Sequence, residues 1–214
     1  IPHNAHVDGN FLITSYYRDG TTVHDITYPN YMIEVAYYDS YTGSGNGFNG
    51  CWGTYPFLSS GNIISSDIDS DNGKGILNIY GRDFQQACYL KGNVTDGITS
   101  NIISNASIEI LTTSINENTN LLGSYQTASV NSGTFQVVFS APGYTSDTLT
   151  VSLSHGVMTI LDAVLYSSSV TWDCDGQGNC YDPGAGNGQY STLSSCQQNC
   201  ITPSWDCDGQ GSCS

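Results

Sequence analysis

Eight cysteines are the side chains of this sequence best suited to covalent chemistry: Cys51, Cys88, Cys174, Cys180, Cys196, Cys200, Cys207 and Cys213. An even number at patterned spacing predicts disulfides formed in an oxidising compartment. The competing chemistry is zinc, usually held by Cys-x2-4-Cys pairs with or without histidine. From Cys174 to Cys200 the gaps are five, fifteen and three residues, with no histidine nearby, so bridges are expected instead.

Metal and acid–base chemistry have few other candidates. His3, His6, His24 and His155 are the only histidines. His3-Asn-Ala-His6 with Asp8 has the residue types of a metal cluster. On a strand, however, residues three apart point to opposite faces, which favours ordinary strand contacts. Asp67-Ile-Asp-Ser-Asp-Asn-Gly73 is a better match, because the alternate carboxylates Asp67, Asp69 and Asp71 before a glycine resemble half of a calcium loop. Its glycine falls one place late and Asn78 stands where a closing Glu belongs, so an Asp/Gly turn explains the run without calcium. Asp173 and Asp175, with Gly176 and Gly178, repeat the signal more weakly. No nucleophile elbow, P-loop, dinucleotide fingerprint or His-Glu-x-x-His motif occurs. The runs Gly43-Ser-Gly-Asn-Gly and Gly184-Ala-Gly-Asn-Gly lack an adjoining base and helix and read as turns. The expectation is a non-enzyme that requires no cofactor, calcium being the one candidate ion.

Charge narrows the partners. Only 11% of residues are charged and the net charge is -15, with Arg18, Lys74, Arg82 and Lys91 the only bases. Nucleic-acid binding needs basic side chains to displace counterions from phosphates, so it is excluded as a partner class. Anionic membrane surfaces repel such a chain as well. No apolar run approaches the ~20 residues that span a bilayer, so no membrane span is expected in this portion. Gly, Ser, Thr, Asn and 15 tyrosines stand in for the missing charges, a composition that suits the extracellular space. Its aromatic and β-branched content is too high for a disordered chain.

The elements that must position these residues fall into three segments. Residues 1–84 contain a repeat. Asn4-Ala-His-Val-Asp-Gly-Asn-Phe-Leu-Ile-Thr-Ser-Tyr reads as two strands around an Asp-Gly-Asn turn, and the stretch from Gly50 to Asp67 repeats that reading about 46 residues later. Each copy is followed by another strand, at 21–26 and 75–80. Short strands and turns recurring at this period are the signature of β-propeller blades. A propeller closes with ~4–8 blades, and fewer than two are present. The chain also starts at Ile1 and stops at Ser214 inside a repeat, so it reads as a processed or truncated piece of a longer protein.

Ile1-Pro-His-Asn-Ala-His, Ser15-Tyr-Tyr-Arg-Asp-Gly and Phe48-Asn-Gly-Cys-Trp-Gly-Thr-Tyr-Pro-Phe resemble the last blades of the choice-of-anchor B family, secreted Bacteroidota proteins with an LVIVD-type propeller. The resemblance continues into Ala87-Cys-Tyr-Leu-Lys-Gly.

Residues 85–167 show strand-sized runs at 106–112, 123–129, 134–140, 148–153 and 159–165. Alternation is clean in Thr134-Phe-Gln-Val-Val-Phe and Leu149-Thr-Val-Ser-Leu, as half-buried strands require. The pattern predicts an Ig-like sandwich of seven strands. Gly92-Asn-Val-Thr-Asp, the run 102–110, Gly123-Ser-Tyr and Ala141-Pro-Gly-Tyr resemble the carboxypeptidase regulatory-like domain. That resemblance implies a transthyretin-like sandwich acting as spacer or interaction module, with no catalytic residues of its own. Asp147-Thr148-Leu149 matches the Bacteroidota O-glycosylation pattern and marks Thr148 as an acceptor. Asn93-Val-Thr and Asn105-Ala-Ser are formal N-glycosylation sequons.

Residues 168–203 form a Cys-rich repeat, and 204–214 begin a second, because Trp172-Asp-Cys-Asp-Gly-Gln-Gly-Asn-Cys returns from Trp205, 33 residues on. The unit resembles tandem repeats near the C-termini of secreted Bacteroidota proteins. Ser191 or Thr192 caps a short helix carrying Cys196 and Cys200 on one face. Side-by-side thiols are poorly placed to bond each other, so each reaches back to Cys174 or Cys180. Cys207 and Cys213 either continue into a further Cys-x3-Cys helix or bond directly, continuation being favoured. Cys51 and Cys88, if bonded, staple the last blade to the first sandwich strand; the alternative is two buried thiols. The combined expectation is all-β: the end of a β-propeller, an Ig-like/transthyretin-like sandwich, then disulfide-stapled repeats. Its function is adhesion, binding or display at the cell surface, with a protein or glycan partner, exported by the type IX route through a sorting signal beyond Ser214. A subunit of an extracellular fibre or a secretion-associated complex is the alternative, with self-assembly as its partner.

Overall fold

The structure, a computed structural model, describes residues 1–45, 47–70, 73–168, 171–183 and 188–200. Its regular secondary structure is nearly all β, and it divides into two compact units. The first comprises Ile1–Leu90, Gln126–Thr134 and Ser152–Ile160; the second comprises Lys91–Tyr125, Phe135–Val151 and Leu161–Ser214.

The first unit opens with an antiparallel meander of β1 (Asn4–Asp8), β2 (Phe11–Ser15), β3 (Thr21–Asp25) and β4 (Ile33–Tyr38), paired in that order. A three-stranded sheet follows: β5 (Gly50–Tyr55), β6 (Ile63–Ser70) and β7 (Lys74–Tyr80). Period-two alternation decides which side chains become core. Ile13 and Val23 are cross-strand partners on one face of the first sheet. Both pack on Ile63 of β6, and these three buried residues form a cluster with Phe11, Val35, Ala36, Tyr80 and Phe84 around it. Among the described residues the two sheets form no closed propeller.

Asp25 is fully buried beside that core. Its Oδ1 accepts from the Thr27 backbone N–H at 2.8 Å and the Thr27 hydroxyl at 2.6 Å. Its Oδ2 accepts from the Ala87 backbone N–H at 2.8 Å. The carboxylate thus ties the end of β3 to the segment entering the next strand. Buried charge is tolerated only with such donors around it.

Two further sheets follow. One has the order β10 (Asn116–Asn118), β9 (Ser107–Ile110), β12 (Gly133–Ser140), β13 (Asp147–Leu153). The other has the order β11 (Ser124–Ser129), β8 (Cys88–Asp96), β14 (Met158–Ile160), with β15 (Ala163–Leu165) running parallel to β8. In the second unit Val94, Ile108, Ile110, Val137, Phe139 and Leu165 are fully buried. Phe139 meets Tyr125 edge to face at 5.7 Å, and the Tyr125 hydroxyl donates to the Leu161 carbonyl at 2.6 Å. An aromatic body is thereby buried with its polar tip satisfied.

This region holds eight strands, not the expected seven. The run 159–165 is divided because Asp162 leaves the ladder and its Oδ1 accepts from the Asn93 backbone N–H at 2.8 Å. β10 is Asn-Glu-Asn, exposed throughout, and carries no apolar alternation that would announce it.

The Cys-rich segment is a hairpin of β16 (Asp173–Cys174) and β17 (Cys180–Tyr181) followed by helix α1 (Leu193–Asn199). Thr192 is the N-cap; its hydroxyl accepts from the Ser195 N–H at 3.1 Å, relieving one of the first-turn donors.

Candidate functional site

The first unit carries a cleft between its two sheets. β3 and β4 pair Thr21 with Tyr38 and Val23 with Ala36, so these four share the face turned toward the second sheet. Together with Tyr37, Ile63, Ile79, Tyr80, Asp83 and Phe84 they line a cavity of about 340 Å³. The Tyr38 and Tyr80 rings lie 5.0 Å apart, and Phe84 is held edge-on against Phe11 at 4.9 Å. Gly20 allows β3 to start here. A Cβ at that position would sit 1.9 Å from the Tyr38 carbonyl oxygen, and its φ is +76°.

Behind the cleft lies a buried polar group. Thr21 Oγ1 is 2.7 Å from Ser65 Oγ and 3.3 Å from Cys51 Sγ, and Ser65 Oγ donates to Thr54 Oγ1 at 3.1 Å. Asp67 is buried next to Cys51 on the neighbouring strand. Burial pushes the Cys51 thiol above its ordinary value, with the Asp67 charge acting in the same direction. Burial likewise raises the Tyr80 phenol. A thiol nucleophile works as its thiolate, so Cys51 is held in the unreactive form. The arrangement can stack on a ligand and hydrogen-bond to it.

The structure separates the cysteines into two groups. Cys174 bonds Cys200 and Cys180 bonds Cys196, with Cα–Cα distances of 5.4 and 6.1 Å. Cys51 and Cys88 do not staple blade to sandwich: both are free and buried. The reason is their surroundings, since Cys51 Sγ faces Thr21 whereas Cys88 Sγ lies 3.5 Å from His155 Nδ1. The Cys88–His155 pair has the residue types of a catalytic dyad but the wrong protonation. His155 Nδ1 is 2.6 Å from the Gln86 carbonyl oxygen, which only accepts, so Nδ1 carries the proton and cannot take one from the thiol. Burial also raises the Cys88 thiol.

The remaining predicted residues are dispersed. His6 Nε2 is 3.0 Å from Asn4 Nδ2, and its ring meets Phe57 edge-on at 5.6 Å. His3 lies against Trp52 at 4.9 Å. His24 Nε2 is 3.8 Å from Glu34. Asp67 belongs to β6, and its Oδ2 accepts from Asn78 Nδ2 at 2.8 Å, which makes it a core residue hydrogen-bonded to the position read as the closing ligand of a calcium loop. The Asp69 side chain, Asp71, Cys207 and Cys213 lie outside the described residues, as do residues 184–187 of the second glycine run. Asp175 Oδ2 accepts from Asn179 Nδ2 at 2.9 Å and its Oδ1 from the Gln177 and Asn179 backbone N–H groups at 2.7 and 3.0 Å, which together hold this carboxyl below its ordinary value. Thr148 is exposed on β13. Among the described residues, the groups of three candidate metal ligands are built on Cys174, Cys180, Cys196 and Cys200, whose sulfurs are spent in disulfides.

Sequence reasoning missed the cleft residues Tyr37, Tyr38, Tyr80, Asp83 and Phe84. The signal available was the adjacent pair Tyr37-Tyr38 at the end of an alternating run, where one tyrosine must face inward and the other outward.

Comparison with known proteins adds three findings. No curated protein matches the chain. Among solved structures, the chain is similar to GBS52, the minor pilin of the Gram-positive pathogen Streptococcus agalactiae. That likeness has 11% identity and a TM-score of 0.33, and covers 53% of this chain and 63% of the pilin, less than two thirds of its length. Residues 90–173 match the family model described as CarboxypepD_reg-like domain, and a carboxypeptidase regulatory-like domain is therefore found in this part of the chain.

Proposed function

We propose that this chain is part of a non-catalytic protein of the cell surface or extracellular space that acts in adhesion, binding or display. The observation that carries the reading is the cleft: an aromatic wall of Tyr38 and Tyr80 with the Asp83 carboxylate in its lining and the neighbouring Cys51 thiol held protonated. Pockets built this way hold ligands by stacking and a few placed polar groups. The Cys174–Cys200 and Cys180–Cys196 bridges support an oxidising compartment. A carboxypeptidase regulatory-like domain over residues 90–173 fits a spacer role. Among the described residues no helix is long and apolar enough to cross a membrane. On this reading the first unit is the end of a propeller head, Thr148 carries a glycan, and export follows the type IX route.

The test is a glycan and peptide array probed with the labelled chain and with Tyr80→Ala and Tyr38→Ala variants. Retention of a defined ligand by the parent and its loss in both variants supports the reading. A blank array from a folded chain sinks it. Self-assembly into a fibre has one observation in its favour: β7 is an edge strand with Ile76, Leu77 and Ile79 exposed. Such edges pair with other chains unless blocked. Mass photometry showing oligomers that Leu77→Lys dissolves would favour that second reading; monomers at all concentrations would remove it.

A further inference from the structure

The Cys-rich unit runs strand, strand, helix, and its hairpin and its helix each supply two sulfurs. Cys174 and Cys180 are cross-strand partners in the β16–β17 hairpin, which puts both side chains on one face. Cys196 lies in α1 and Cys200 at its C-cap, one turn further along the same face. The bonds run from hairpin to helix, as Cys174–Cys200 and Cys180–Cys196. They draw the sulfurs into one cluster. Those of Cys180, Cys196 and Cys200 lie within 4.8 Å of one another, and those of Cys174 and Cys200 form a second such group with an Asp175 oxygen.

Two observations point from this cluster to a metal ion. The first is the convergence itself. Each bridge needs only its own two sulfurs, whereas a tetrahedral ion needs four together: zinc binds thiolates at about 2.3 Å, which sets neighbouring sulfurs ~3.8 Å apart. The second is the scaffold. Small structural zinc units take one ligand pair from a hairpin and one from the following helix, with three to five residues between the helical ligands. Cys196 and Cys200 have three between them.

The hairpin pair has five residues between its cysteines instead of the usual two to four, which is why spacing alone spoke against zinc. The turn absorbs the difference. Asp175 accepts from the Gln177 and Asn179 N–H groups and from Asn179 Nδ2, folding the extra residues while Cys174 stays opposite Cys180. Its carboxylate is thereby engaged as a brace, and the sulfurs are left as the ligand set. Cys196 and Cys200 are buried and Cys174 and Cys180 half-buried, as in a closed structural site. Contacts without sulfur favour the same shape: Trp172 and Tyr190 exchange backbone hydrogen bonds at 2.7 and 2.9 Å, and Thr192 caps the helix.

We propose that the reduced form of this unit is a closed four-thiolate site for zinc, so that bridges and metal are alternative staples of one fold. A dithiol gives each bridge two electrons and two protons and closes its own disulfide in return. The four thiols formed release their protons as their sulfurs bind the ion. Reoxidation of the sulfurs to two bridges expels it.

The test reduces the whole chain with a water-soluble phosphine under argon and titrates it with zinc against a chromophoric chelator, with cobalt(II) as the spectroscopic probe. One ion per chain is expected, with thiolate-to-cobalt charge-transfer absorption and tetrahedral d–d bands. Zinc should also restore the resistance of residues 171–200 to proteolysis, and the oxidised chain should bind none. Cys180→Ser and Cys196→Ser should each weaken zinc by at least about a hundredfold. The double variant Cys207→Ser/Cys213→Ser should bind as the parent does. Four results would each overturn the proposal: no thiolate band, undiminished affinity in Cys180→Ser, a site lost with Cys207 and Cys213, or zinc bound without renewed protection.

Discussion

Asp25 is the polar side chain on which the first unit depends most visibly. It is fully buried, and two backbone N–H groups and a hydroxyl donate to it. Asp25→Leu removes the acceptor and strands the Ala87 N–H in the interior. A loss of about 2–4 kcal/mol is expected, read as a lowered urea midpoint with unchanged slope. Asp25→Asn keeps one acceptor oxygen and should lose less. The free thiols make a second prediction at this scale. Cys51 and Cys88 are buried and their thiols are raised by that burial. Iodoacetamide at neutral pH should therefore leave both unmodified in the native chain and label both in denaturant, before any reductant is added. Native labelling of either, seen by peptide mass spectrometry, would contradict the placement. Such residues show how unevenly a sequence speaks. Cysteine spacing announced a Cys-rich unit, because bridges impose local geometry. It misled on Cys51 and Cys88, expected to bond and found free, because their state depends on which residues surround each sulfur after folding. The cleft was equally hidden, since Tyr38 and Tyr80 are 42 positions apart and become neighbours only when the two sheets stack.

At the scale of elements, the Cys-rich unit is the clearest case of structure imposed by crosslinks. β16 and β17 are two residues each and place Cys174 opposite Cys180. Helix α1 has seven residues and presents Cys196, with Cys200 at its C-cap. Neither element is stable alone: helices this short are marginal in water, as are isolated hairpins. The two bridges close loops of 26 and 16 residues, and each should contribute roughly 3 kcal/mol by constraining the unfolded chain. Reduction should therefore release 171–200 to proteolysis while β8 to β15 stay protected, as followed by limited digestion with and without dithiothreitol. Digestion unchanged by reduction would show that packing alone suffices. The strands of the carboxypeptidase regulatory-like region follow different rules and were differently legible. β11 and β12 alternate inward and outward residues and are plain in the sequence. β10 is wholly exposed, and β14 and β15 are parted by the Asp162–Asn93 contact, a side chain meeting a backbone 69 positions away. Periodicity reports burial on one face; it does not report an edge strand without a buried face or a ladder interrupted by a distant partner.

For the molecule as a whole the governing quantity is charge. Nineteen carboxylates face four bases, and both arginines are engaged within the first unit. A surface of one sign sets up a long-range field that attracts oppositely charged partners and raises their encounter rate. Apolar contact in the cleft and the field of the carboxylates should respond to salt differently. Cleft binding is dominated by stacking and apolar contact, whose strength depends little on ionic strength. The field of the carboxylates is screened beyond about 10 Å at 0.1 M salt and about 3 Å at 1 M. Raising sodium chloride from about 0.05 to about 0.5 M should thus slow association with a Lys- or Arg-bearing partner by at least about tenfold. The dissociation rate should change far less, because the closest charges remain paired at short range. Surface plasmon resonance separates the two rates. An association rate indifferent to salt would mean that the acidic field does not guide recognition, and would return the weight of binding to the cleft.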